Sequence, residues 1–135
     1  MDCVTPNLQF SIICDDVIQD KRTGKFVLHG LFANISCSRI PHVHPRFFIV
    51  NGWCNGEGTF KQRTKVVSAS NKTLIEDRYT EFELKTSRAK HTIIAQFNNV
   101  VFSTEGVYWI EIYLAEELVM RYPFEIIKIS SKKAS

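Results

Sequence analysis

The chain has 135 residues, 44% hydrophobic and 23% charged, enough apolar material for one core; a disordered, fibrous or disulfide-stapled scaffold is excluded. A formal charge of +3 is too small to point to a polyanionic partner, so no nucleic acid is expected. No apolar run approaches the ~18 residues of a membrane span, and Met1-Asp2-Cys3 carries an acid where a signal peptide carries positive charge, so a cytoplasmic protein is expected.

Residues 1–6 read as an N-terminal extension, 7–129 as a single domain and 130–135 as a flexible C-terminal tail. Leu8, Phe10, Ile12 and Cys14 alternate with Gln9, Ser11, Ile13 and Asp15, a half-buried first strand. Residues 16–24 read as a polar turn and 25–35 as one strand, apolar on both faces apart from His29 and Asn34, with Gly30 marking a bulge or a close backbone approach. Pro41-His42-Val43-His44-Pro45 reads as a loop, because neither proline can donate a ladder hydrogen bond. A strand over residues 46–50 follows, and Asn55-Gly56 is a strong hairpin signal.

Beyond that turn, Phe60, Gln62, Thr64 and Val66 alternate with Lys61, Arg63 and Lys65, a strand with a basic outer face. Asn71-Lys72 is a turn, residues 73–84 hold one or two weaker strands, and 91–102 form a long strand with Ile93, Ala95, Phe97 and Val101 in phase. Gly106 opens a late hairpin whose two apolar runs are separated by Ala115-Glu116-Glu117. Tyr108 is placed to bond its hydroxyl back to the preceding corner, as in immunoglobulin-like sandwiches. About eight strands, no helical window and no repeat define an all-β fold: an antiparallel, immunoglobulin-like β-sandwich.

The segments Cys14-Asp15-Asp16-Val17, Gly24-Lys25-Phe26-Val27-Leu28-His29-Gly30-Leu31-Phe32, His44-Pro45-Arg46-Phe47-Phe48, Gly106-Val107-Tyr108-Trp109 and Met120-Arg121-Tyr122-Pro123 stand in this order. In that order the chain resembles, over residues 7–129, a family of short bacterial proteins of unknown function. The resemblance implies a stand-alone cytosolic β-sandwich and carries over no catalytic residue, ligand or partner.

Four features could carry chemistry. His42 and His44 share a side if their segment is extended, and with Cys54 folded nearby they would supply three zinc ligands; the plainer reading is histidines capping a loop. Asp15 and Asp16, with Asp20, stand where calcium-dependent lipid-binding sandwiches hold oxygen ligands, although turn-forming aspartates are commoner. Lys61, Arg63 and Lys65 could hold a phosphate backbone, but no aromatic interleaves along that strand, so a solvated face is the ordinary reading. His29, between Val27 and Leu31, reads as a core-facing histidine.

The outer row of the late hairpin, Val107, Trp109 and Tyr113, is either covered by a loop or exposed as a contact surface. The four cysteines, Cys3, Cys14, Cys37 and Cys54, have no paired spacing and read as free thiols. No nucleophile with an orienting base emerges, so no enzymatic activity and no cofactor are expected. The expected function is a binding or structural module acting through a sheet face or edge, with another protein or a second copy in a homodimer as partner. The alternative is a metal- or calcium-dependent module that binds a ligand or lipid.

Overall fold

The computed structural model describes residues 3–129; the C-terminal tail over 130–135 lies outside the described residues. Among the described residues there are ten strands and no helix: β1 (Asn7–Gln19), β2 (Phe26–Leu31), β3 (Asn34–Cys37), β4 (His42–Cys54), β5 (Gly58–Val67), β6 (Thr73–Glu76), β7 (Thr80–Leu84), β8 (Lys90–Phe102), β9 (Gly106–Leu114) and β10 (Glu117–Lys128). One sheet has the order β2-β1-β4-β8 and the other β3-β10-β9-β5-β6, with β7 also on β5. β6 and β7 take successive stretches of one side of β5. Every pairing between named strands is antiparallel except that of β3 with β10.

The sheets pack face to face as an all-β sandwich. Phe47, Ile49, Trp53, Ile93 and Phe97 from one sheet meet Val66, Phe82, Ile110, Ile112, Phe124 and Ile126 from the other in a single buried cluster. Trp53 stacks on Phe82 with ring centroids 5.5 Å apart, and removing so large a buried side chain costs about 3–5 kcal/mol. Tyr108 makes the expected corner: its hydroxyl donates to the Thr104 carbonyl at 2.9 Å while its ring stays in the core, edge-on to Phe102.

Several boundaries differ from the sequence expectation, each for a physical reason. The polar turn begins only at Asp20, because β1, paired with β4 up to Cys14, continues through Asp15 and Asp16 by pairing with β2. As a central strand it buries both faces: Ile13 joins the main core, and Cys14 a second cluster with Phe48 and Val50. The segment 42–46 is strand rather than loop, since β4 runs unbroken from His42 to Cys54. Residues 25–35 split into β2 and β3, which belong to different sheets.

Asn55-Gly56 does not close a hairpin. Asn55 takes a left-handed φ of 60°, and the chain turns the corner from one sheet to the other. In β8 the phase slips at Asn99, whose φ is 51°, so Val100 and Phe102 are buried and Val101 is 44% exposed. His29 is exposed on the edge strand β2, opposite Asp16, not in the core. Gly30, with a φ of 68°, gives the expected close approach: a Cβ there would collide with the Asp15 carboxylate.

Candidate binding face

β5 turns Gln62, Thr64 and Val66 inward, where they are buried, and Lys61, Arg63 and Lys65 outward. β9 likewise buries Tyr108, Ile110, Ile112 and Leu114 and turns Val107, Trp109, Glu111 and Tyr113 outward. β5 and β9 are direct neighbours, with Arg63 opposite Tyr113, Lys65 opposite Glu111 and Val67 opposite Trp109. The basic stripe and the aromatic row, separate in the sequence, are therefore parts of one face.

On that face the cations lie over rings. The Arg63 guanidinium is 3.9 Å from the Tyr79 ring centroid, and the Lys61 ammonium is 4.9 Å from the same ring. Lys65 stands 4.7 Å from the centroid of Tyr113, and Arg121 of β10 stands 4.0 Å from that of Trp109. Contacts of this kind contribute about 0.5–1 kcal/mol each at exposed sites. The expectation that no aromatic interleaves with the stripe is corrected here, because neighbouring segments deliver the rings. Tyr79, from the β6–β7 connection, and Arg121 carry no signal of their own in a strand-by-strand reading.

Carboxylates alternate with the cations. Glu111 accepts hydrogen bonds from the Tyr113 hydroxyl at 2.8 Å and from Arg121 Nε at 3.1 Å. Glu76 accepts from Arg63 at 3.2 Å and stands 3.7 Å from Lys65. Burial first, and then the bond to Glu111, hold the Tyr113 hydroxyl above its ordinary pKa. The positions Arg121, Glu111, Lys65 and Glu76 are successive cross-strand partners and form one lateral row of alternating sign. That row is charge-balanced, and the rings of the face are covered by cationic side chains rather than by a loop; Val107 remains 37% exposed.

The metal candidates divide differently. β1–β4 pairing brings the aspartates to the histidine end of β4: Arg46 stands 3.6 Å from the Asp16 carboxylate, just past the last paired residues Cys14 and Phe48, and Asp15 and His44 line one open cleft. His42 Nε2 and His44 Nδ1 are 3.2 Å apart, so the two rings do share a side. Burial, then the neighbouring His42, push the His44 pKa below its ordinary value, with Asp15 opposing. Cys54 does not join them. It ends the same continuous strand, twelve positions from His42 or about 40 Å at strand rise.

Among the described residues no cluster of three or more His, Cys, Asp or Glu side chains is arranged to hold a metal. Asp20 is a turn residue, its carboxylate accepting from the Arg22 amide at 2.8 Å. All four cysteines are free, Cys3 exposed and the others buried. No helix among the described residues is long and apolar enough to cross a membrane.

Two packed sheets, a tyrosine corner and a polar, ring-bearing outer face define a β-sandwich domain. The chain belongs to the Family of unknown function (DUF6941), whose pattern matches residues 9–127. No curated protein matches it. Among solved structures it is similar to the Pseudomonas fluorescens alkylpurine DNA glycosylase AlkC bound to DNA containing an abasic site analog, with a TM-score of 0.50 and 10% identity. That likeness covers 90% of this chain but only 30% of the glycosylase, and it shows the fold alone.

Proposed function

We propose that the chain is a non-enzymatic, immunoglobulin-like binding module of the bacterial cytoplasm that engages a protein through the outer face of its six-stranded sheet. The observation that carries this reading is the composition of one contiguous surface. Trp109, Tyr113 and Tyr79 stand beside Arg63 and Arg121, and Trp, Tyr and Arg are the residues that dominate binding energy at protein interfaces. Their side chains are already fixed by cation–ring contacts and ion pairs, so little rotamer freedom remains to be lost on docking. Interleaved Glu76 and Glu111 disfavour a polyanion on the same surface.

A photo-crosslinking side chain placed at Val107 or Lys61 should form protein adducts in the cell, and one placed at Gln96, exposed on the other sheet, should not. Adducts from Gln96 with none from Val107 or Lys61 would sink the assignment.

A further inference from the structure

The charge order of this face singles out its occupant. Across β10, β9, β5 and β6 the register sets Arg121, Glu111, Lys65 and Glu76 side by side, plus, minus, plus, minus. A row of four with alternating sign is its own complement. Turned about a two-fold axis that lies in the face, parallel to the strands and between β9 and β5, each plus meets a minus.

We infer that the partner of this face is a second copy of the chain, docked face to face about that axis; the inference rests on the reading of the face as the recognition surface. Under this operation Glu111 meets Lys65 of the second copy, and Arg121 meets Glu76 of the second copy. One row further along, Tyr113 meets Arg63 of the second copy, because the two residues are cross-strand partners on either side of the axis. Every contact occurs twice, as an isologous interface requires. Aligned stacking of two sheets is one of the two ways in which sheet faces pack. An axis between any other pair of strands sets like charges opposite one another or leaves half the row unmatched.

The register gives an experiment that a generic sticky face would not pass. The wild-type protein should sediment as a dimer at micromolar concentration. Lys65→Glu sets two carboxylates opposite each other across the interface, and Glu111→Lys sets two ammonium groups opposite each other, so each variant alone should lose at least about tenfold in dimer affinity. Mixed in equal amounts, the two variants should form a heterodimer, because Glu and Lys then meet at both symmetric contacts. The double variant Lys65→Glu/Glu111→Lys should dimerise by itself, and it serves if either single variant fails to fold as judged by circular dichroism.

A wild-type chain that is monomeric at high micromolar concentration overturns the second copy as partner, and adducts from Val107 in the cell would then still support the face. A wild-type dimer indifferent to both reversals overturns the face itself. Folded single variants that stay monomeric when mixed overturn the axis.

Discussion

Asn51 of β4 and Gln62 of β5 meet in the middle of the sandwich, the Asn51 Nδ2 donating to Gln62 Oε1 at 2.9 Å with both residues fully buried. The same Nδ2 donates to Thr64 Oγ1 at 3.0 Å, and Trp53 Nε1 donates to Gln62 Oε1 at 3.3 Å, so one carbonyl oxygen serves donors from the opposite sheet. Asn51 Oδ1 and Gln62 Nε2 have no partner among the described residues. Gln62→Leu should therefore destabilise by about 2–4 kcal/mol, since it strips the indole donor and half of the Asn51 pairing at once. Adding Asn51→Leu should recover part of that loss. Denaturant unfolding of the two single variants and the double variant measures it, and strictly additive losses would show that the cross-sheet bond is not the coupling.

Tyr108→Phe removes only the hydroxyl that caps the Thr104 carbonyl, and the ring contacts with Phe102 and Phe124 remain. The expected cost is about 0.5–1.5 kcal/mol, read as a lower midpoint in urea at an unchanged slope. An unchanged midpoint would mean that the corner bond is matched by water in the unfolded chain.

His44 gives the fold a pH dependence with a definite sign. Its ring packs 5.9 Å from that of Phe47, and burial holds its pKa below the ordinary 6.5, so the unfolded chain takes up the proton first. The His44 contribution to stability is present above pH 6.5 and is lost as the pH falls from 6.5 toward the folded-state pKa. Thermal melts across this window should show a falling midpoint in the wild type and a flatter profile in His44→Phe; parallel profiles would assign the acid sensitivity to other groups.

Thiol labelling should be strongly graded. Cys3 is exposed, whereas Cys14, Cys37 and Cys54 are buried, and burial also pushes the Cys14 thiol pKa up. A chromogenic disulfide reagent should label one thiol rapidly in the native protein and all four after unfolding. Rapid native labelling of Cys14 would show that β1 leaves its sheet far more readily than a central strand should.

The ion pairing on this face also sets an upper bound on polyanion binding. Arg63 and Lys65 are paired with Glu76 and Arg121 with Glu111, and Lys61 stands opposite Glu81 in the register, so few counterions would be released on contact. Single-stranded oligonucleotides should bind no more tightly than micromolar at physiological salt, with a shallow salt slope. Submicromolar affinity measured by fluorescence anisotropy would contradict this.

What the sequence made legible follows from what alternation encodes. A strand's period of two separates its faces, so the buried and outward rows of β5 and β9 were readable, and so was the Tyr108 corner. Alternation does not encode which strand lies beside which. Asn55-Gly56 supports a left-handed turn whether the chain doubles back or crosses to the other sheet, so the corner looked like a hairpin. The phase slip at Asn99 and the continuation of β4 through Pro45 fall at facing positions, the one step between the His44–Val100 and Arg46–Asn98 pairs where the two strands do not pair. The shared face itself exists only through the β5–β9 register, and Tyr79 reaches it from outside any strand.

The parallel pairing of β3 with β10 dictates an order of events during synthesis. Asn34 waits for Glu125, whereas all four strands of the other sheet have been synthesised once Phe102 is made. A chain made only that far still lacks β9 and β10, so inner aromatics such as Phe47 and Phe97 are without the opposing Ile110, Ile112, Phe124 and Ile126. The core can close only once β9 and β10 have been made, and until then its exposed aromatics must be shielded from neighbouring chains.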